Sequence, residues 1–343
     1  MSWDYNCQGR INMSTDQSQE FLFQRIKELL PPHISMVDAV SEILHVSNDS
    51  AYRRIRGETP LVLDEAKQLC THFGLSLDQL LNVKHGSTIF QDVRIDFTKY
   101  KYDQYLKDLL QQLNELGGFF QKEIIYLSKD LPIFHNFYYQ PLIAFRHFFW
   151  MKTMLLDPNF ATQHFDFGSL TAETEKLSQD VLMAYQKVPS TEMWNTESIN
   201  STISQVEFYR DSGYFSSSAD IKTVYEAIIA TIHHMKEQVE CGCKFMPGDS
   251  PQLKKSNYNF FYNRVVLGDN TVLVMTDRTK TAYLNYGLLN YIVTRDESFC
   301  THCYNDVQNL IKRSTRISQT SEKQRNIFFG ILLSKVEDRK KRV

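Results

Sequence analysis

Val46-Ser47-Asn48-Asp49-Ser50-Ala51-Tyr52-Arg53-Arg54-Ile55-Arg56-Gly57 is the stretch on which the reading of this chain turns. Ser47 is a good N-cap, and its hydroxyl suits the free amides of a helix starting at Asn48. Gly57 supplies the stop. Ala51 and Ile55, one turn apart, anchor that helix inward, and the small residue at 51 lets it approach its predecessor closely. Asn48, Asp49, Tyr52, Arg53 and Arg56 then lie away from the anchor. Such a set suits base edges in a major groove: Asn pairs with adenine, Arg with guanine and Asp with cytosine.

Upstream, Leu22, Ile26 and Leu29 fall at i, i+4 and i+7 and form one apolar helical stripe, ended by Pro31 and Pro32. Ser35 caps a second helix whose inner face is Met36, Val40, Ile43 and Leu44, with Asp38 in its first turn. Downstream, a fourth helix carries Leu63, Ala66, Leu69, Cys70 and Phe73 and closes at Gly74. Ser76 caps a fifth, with Leu77, Leu80 and Leu81 inward.

Together with Pro60, Ala66, Leu69 and the run Phe73-Gly74-Leu75-Ser76-Leu77-Asp78-Gln79-Leu80, this segment resembles the lambda-repressor/Cro-like (XRE-type) helix-turn-helix family. The likeness covers Gln19 to Leu81. Two features depart from the family pattern: a tight turn at Ile55-Arg56-Gly57, and Arg54 where an apolar residue is common. The resemblance implies a five-helix DNA-binding module and a sequence-specific regulator bound as a homodimer to a two-fold site on double-stranded DNA. Base contacts are expected from Asn48, Asp49, Tyr52 and Arg53, because the first turns of a recognition helix reach the bases. Phosphate contacts are expected from Ser35, Arg54 and Arg56.

Charge sets a limit on that expectation. The chain has 38 Lys and Arg against 40 Asp and Glu, a formal net charge of -2, so any phosphate attraction must come from a local cluster. Between Gln19 and Leu81 nine acidic residues face six basic ones, and only the cluster Arg53, Arg54 and Arg56 is concentrated.

Composition places the rest of the chain among globular domains. At 343 residues, with 42 % hydrophobic and 13 % aromatic residues, two cores are affordable. The expected organisation is a leader at 1–18, the helix-turn-helix module at 19–83, a linker at 84–100 and a sensor or oligomerisation domain at 101–343. The fold class expected is mainly α: the five-helix module followed by a larger α+β domain with a small antiparallel sheet. Helices are expected at Tyr102–Leu116, Pro141–Leu156, Thr171–Lys187, Thr191–Arg210, Asp220–Val239, Asp296–Arg313 and Glu322–Lys335. Strands are expected at Lys122–Leu127 and Thr281–Tyr286, with a hairpin of Tyr258–Val266 and Thr271–Thr276 turning at Leu267-Gly268-Asp269-Asn270.

Other signals are weaker. Cys241, Cys243, Cys300 and Cys303 lack the usual zinc spacing, so buried or free thiols are the reading and no metal is expected. His135 and His147 sit among aromatic residues and read as core histidines. The block Phe134–Trp150 reads as core before ligand pocket. Arg339-Lys340-Lys341-Arg342 reads as a solvated basic end. None of the phosphate-loop, dinucleotide, nucleophile-elbow or His-Glu-x-x-His motifs occurs, so no catalytic residue and no cofactor are expected. No signal peptide or uncharged apolar span is present, and a cytoplasmic location without membrane contact is expected. The effector of the second domain, a small molecule or a protein, is open. The alternatives are a protein-interaction adaptor whose helix-turn-helix does not bind DNA, and an enzyme without a linear motif.

Overall fold

The computed structural model describes residues 15–75, 88–93, 101–249, 256–265, 268–286 and 290–343. The chain divides into two units, Met1–Ile89 and Phe90–Val343.

Four helices make up the described part of the first unit: α1 (Thr15–Leu29), α2 (Met36–Leu44), α3 (Asn48–Ile55) and α4 (Leu63–Phe73). Leu22, Phe23, Ile26 and Leu30 from the α1 segment meet Val40 and Leu44 of α2, Ala51 of α3, and Leu69 and Cys70 of α4 in one core. Burying each large aliphatic side chain here contributes about 1.5–3 kcal/mol. The helical stripe places Leu29 inward, but Leu30 takes the deeper position. Leu63 is also displaced from the expected core: at 76 % exposure it stands in solvent at the start of α4. The helix expected at residues 76–81 lies outside the described residues. α1 begins at Thr15, ahead of the boundary expected at Gln19, and residues 91–93 of the expected linker form a strand.

The second unit corrects the expected small antiparallel sheet. Its sheet has eight strands in the order β1-β7-β6-β5-β2-β3-β4-β8. They are β1 (Gln91–Val93), β2 (Lys122–Ser128), β3 (Ser190–Trp194), β4 (Tyr258–Tyr262), β5 (Thr271–Thr276), β6 (Lys280–Asn285), β7 (Tyr291–Thr294) and β8 (Thr315–Arg316). β2, β3 and β4 are parallel, and every other neighbouring pair is antiparallel. Parallel neighbours need long crossovers, and helices supply them. α6 (Gln140–Phe149) and α7 (Ala172–Gln186) lie between β2 and β3, while α8 (Asn200–Asp211) and α9 (Ser218–Cys241) lie between β3 and β4. α5 (Tyr102–Gly117) precedes β2, and α10 (Glu297–Lys312) and α11 (Glu322–Lys340) follow β7.

The fold-class expectation is therefore wrong about the sheet, which is large and mixed where a small antiparallel one was expected. The physical reason is β3. Ser190-Thr191-Glu192-Met193-Trp194 carries no apolar alternation, yet all five residues are buried. Polar side chains in a central strand hide it from a periodicity argument, and the expected helix Thr191–Arg210 starts on this strand.

The expected β4–β5 hairpin is also absent, since β2 and β3 stand between those strands. The turn residues have another task. Asn270 Oδ1 accepts from the amides of Lys129 (2.9 Å) and Asp130 (3.2 Å), and Asp269 pairs with Lys129 at 2.6 Å. They cap the loop that leaves β2.

One sheet face carries the main core, where Ile124, Trp194, Tyr258 and Phe260 meet α6, α7, α9 and α11. The opposite face packs Ile125, Leu273 and Ala282 against Cys300 and Val307 of α10. Among the described residues, no helix is long and apolar enough to cross a membrane.

Candidate nucleic-acid interface

The link between α2 and α3 is three residues long and tightly pinned. His45 ends α2 in the left-handed region (φ 53, ψ 43), its amide directed at the Glu42 and Ser41 carbonyls. A non-glycine residue there is uncommon and must be held by its surroundings. The Val46 amide bonds the Ser41 carbonyl at 3.1 Å, and Ser41 Oγ donates to the Val46 carbonyl at 2.7 Å. Ser47 Oγ then accepts from the Ser50 amide at 3.3 Å and caps α3. Fully buried Ala51 seats α3 against the core, so the opposite face of α3 is presented outward.

On that face Asn48, Asp49, Tyr52, Arg53 and Arg56 are all exposed. None stands free. Asn48 Nδ2 donates to Asp38 Oδ1 of α2 at 2.9 Å. Arg53 pairs with Asp49 one turn back at 3.1 Å, and both side chains remain well solvated. Arg56 lies over the Tyr52 ring at 5.6 Å and pairs with Glu58 at 3.2 Å. These are solvent-exposed contacts of the kind that contribute 0–1 kcal/mol and exchange readily.

Arg54 is placed differently. Its Nε and Nη2 bond the two oxygens of Glu65 on α4 at 3.1 and 2.7 Å, and Nη1 bonds the Ser50 carbonyl at 3.2 Å. The Glu65 hydrogen bonds raise the guanidinium pKa further, and the Arg54 hydrogen bonds hold the Glu65 carboxyl below its ordinary range. Glu65 also accepts from the Val62 amide at the start of α4. Arg54 therefore ties α3 to α4 and is turned away from the set formed by Asn48, Tyr52 and Arg53. Arg54 is a structural brace between the two helices.

Ser35 is exposed at the start of α2, its Oγ accepting from the Asp38 amide at 3.4 Å. Gln19 was not singled out by sequence. It stitches the α3–α4 connection to α1, donating to the Arg54 and Thr59 carbonyls (2.7 and 2.8 Å) and accepting from the Leu61 amide (2.9 Å).

A second polar constellation, also unread in sequence, lies inside the sheet unit. Glu192 of β3 is fully buried and accepts from His135 Nε2 (3.0 Å), Tyr185 hydroxyl (2.6 Å) and Trp194 Nε1 (2.8 Å). Burial alone pushes this carboxyl up, but His135, Tyr185 and Lys244 outweigh it and the net direction is down. Lys244 is itself fully buried, with Nζ 3.7 Å from the Tyr185 ring centre and donating to the Tyr185 carbonyl at 2.9 Å and to the Val188 carbonyl. Tyr138 and Gln238 continue the network, and Gln238 bonds the Phe245 carbonyl. Buried polar networks help specify a unique core where their members are paired, and here His135 Nδ1 is left without a partner. His135 matches the expected core histidine, and its signal was its place among aromatic residues. Glu192 had none, because its partner His135 lies 57 residues away and Tyr185 and Trp194 meet it only once β3 is formed.

Among the described residues, no group of three His, Cys, Asp or Glu is placed to hold a metal ion. Cys300 is buried under β6 with Sγ directed at the Thr294 carbonyl at 3.4 Å, and burial pushes its thiol up to about 11. No protein-family model, no curated protein and no solved structure matches the chain.

Proposed function

We propose that the chain is a sequence-specific DNA-binding transcription regulator that reads the major groove with α3 and dimerises or senses an effector through its second unit. The observation that carries this reading is the outward face of α3. A pinned three-residue turn and buried Ala51 fix the helix, leaving Asn48, Asp49, Tyr52 and Arg53 exposed on its first turns. Arg56 is the phosphate contact in this reading, since Arg54 is engaged by Glu65. The resemblance of residues 19–81 to lambda-repressor/Cro-like modules supports the same reading. Exposed ion pairs such as Arg53–Asp49 are weak enough to be exchanged for nucleic-acid contacts. The reading places the protein in the cytoplasm, with a homodimer on a two-fold site and no enzymatic step.

Selection from a genomic DNA library with the full chain, at moderate and high salt, tests it. An enriched two-fold motif whose binding weakens steeply with salt is the expected result. No enrichment, with salt-insensitive background, removes the DNA reading.

One observation favours a second reading. Each exposed arginine of α3 is paired with a carboxylate, Asp49 or Glu58, and Asp38 lies beside Asn48. That balance suits a protein partner, and an adaptor predicts salt-tolerant capture of a protein in place of DNA.

A further inference from the structure

α11 carries apolar residues on both of its faces. The inner face seats Phe328, Phe329, Leu332 and Val336 in the main core of the second unit. Basic side chains tie its flanks to the same unit. Arg325 Nη1 donates to the Ile317 and Thr320 carbonyls, both at 3.0 Å. Lys335 reaches the Thr196 carbonyl at 2.8 Å and Glu197 at 3.0 Å. Arg339 pairs with Glu207 of α8 at 3.3 Å, and Lys340 with Glu226 of α9 at 2.7 Å. These contacts fix how the helix is turned, and its opposite face looks into solvent.

Along its middle turns that outward face presents Asn326, Ile327, Gly330, Ile331 and Ser334, all exposed and none of them charged. Ile327 and Ile331 stand one turn apart at 41 % and 37 % exposure. Single exposed aliphatic residues are common, but here two flank a glycine. Gly330 sits mid-helix, where glycine is a poor helix former beside alanine. A Cβ built there meets nothing within 4 Å, so no described neighbour calls for the missing side chain. A glycine so placed suits a close approach of another backbone from outside.

The charges that bound this patch are complementary to themselves. Lys323 lies seven residues before Gly330, and Glu337 and Asp338 lie seven and eight after it. All three are exposed, and among the described residues neither Lys323 nor Glu337 forms an ion pair. Asp338 pairs with Lys341 at 3.4 Å, with both side chains well solvated. Glu322 and Lys341, at the two outer ends, are opposite in sign as well. An identical helix laid antiparallel across Gly330 therefore sets Lys323 against Glu337 and Asp338 twice over, each roughly 10 Å from the crossing point. A parallel copy would oppose Lys323 to Lys323 and Glu337 to Glu337, and like charges facing each other are unfavourable.

We propose that this face binds a second copy of the chain, α11 crossing its counterpart antiparallel about a two-fold axis beside Gly330. Such an interface is isologous, each copy offering the same patch to the other. A helix of 19 residues is roughly 28 Å long. One crossing pair of that length is small beside a standard interface, so the dimer is reversible in the micromolar range. This names the face for the dimerising part of the proposed function and rests on that reading only for its consequence at DNA.

The test is analytical ultracentrifugation of the full chain from low to high micromolar concentration, without DNA. The wild type is expected to pass reversibly from monomer to dimer. Lys323→Glu sets like charges together twice and is expected to weaken the dimer at least tenfold. Adding Glu337→Lys and Asp338→Lys to that variant reverses both ends and is expected to restore it. Gly330→Ala is expected to raise the melting temperature at concentrations where the chain is monomeric, yet to weaken the dimer several-fold. All four positions are exposed, so the variants are expected to fold. A chain that stays monomeric overturns the proposal and leaves the face to a different protein. A dimer indifferent to Lys323→Glu and Gly330→Ala, or a charge reversal that fails to restore association, overturns it too. A dimer that selects no DNA keeps this face and loses the regulator reading, whereas DNA selection by a monomer does the reverse.

Discussion

Arg54 and Glu65 face each other as a fork on a carboxylate, with two hydrogen bonds of 3.1 and 2.7 Å joining α3 to α4. Each side chain keeps 17 % exposure, which places the pair between a surface ion pair and a buried one. Arg54→Met is expected to destabilise the first unit by about 1–2 kcal/mol, and Glu65→Gln by less, because the amide still accepts. The sign with pH follows from Glu65, whose folded pKa lies below its unfolded value. Its contribution is present above the unfolded carboxylate range and is lost as pH falls through the folded pKa. Urea unfolding at several pH values checks this. Equal stability of Arg54→Met and wild type at neutral pH would remove the brace.

Asp49 stands on the first turn of α3, where it pairs with Arg53 at 3.1 Å and places a negative charge on the proposed DNA face. Asp49→Asn frees the guanidinium and removes a charge that repels phosphate. The expected outcome is several-fold tighter non-specific DNA binding at low salt, with a salt slope steeper by about one. The helix loses roughly 0.3–1 kcal/mol of dipole stabilisation in exchange. Arg53→Ala should do the reverse, weakening specific binding by about 1–3 kcal/mol with the fold intact. If neither change moves the DNA affinity, α3 is not the contacting surface.

Gly242 closes α9 at φ +67, and a Cβ there would lie 2.4 Å from Gln319 Cδ. Gln319 is itself in the left-handed region at φ 59, its side chain bonding the Cys241 carbonyl at 3.2 Å. Gly213 has the same φ of +67 with nothing within 4 Å of its added Cβ. Gly213→Ala should therefore cost about 1 kcal/mol, the backbone component alone. Gly242→Ala should cost more, because Gln319 must move as well. Thermal melts of the two variants isolate the difference, and equal costs would mean that Gln319 gives way freely.

How much of this could be read from the residues follows from where each signal sits. The α2–turn–α3 unit was legible because local signals coincide: Ser47 at the cap, Ala51 and Ile55 inward, Gly57 at the end. Arg54 was assigned to phosphate because its partner Glu65 lies on another helix, and helix-face reasoning does not see across helices. β3 was missed for a related reason, since Thr191 and Glu192 are acceptable in a buried strand only when distant Glu123 and His135 bond them, with Tyr185 of the preceding helix completing the set. The hairpin expected at Gly268-Asp269-Asn270 drew on a genuine turn signal, but Asn270 uses its carbonyl to cap the exit of β2. In each case the local chemistry was right and the non-local partner decided its use.

That dependence is strongest at Lys244, an ammonium fully buried between the Tyr185 ring and two backbone carbonyls. Burial pushes its pKa down to about 7, while the Glu192 carboxylate pulls it up. The unfolded side chain titrates at the ordinary lysine value of about 10.4. Between those limits the unfolded state carries a proton that the folded state lacks, so stability rises with pH. The slope from this one group is at most ~1.4 kcal/mol per pH unit. Below about pH 7 both states are protonated, and the burial cost is full and constant. Lys244→Met keeps the volume and removes the titration, so its stability should exceed or match the wild type at pH 7. The gap should close as pH rises towards 9.5, before the buried hydroxyls of Tyr185 and Tyr258, both pushed well up, begin to oppose unfolded tyrosines that ionise. Paired urea titrations of the two proteins from pH 7 to 9.5 measure that gap. Parallel curves would mean that Lys244 keeps its proton throughout, with Glu192 and the two carbonyls compensating the charge in full.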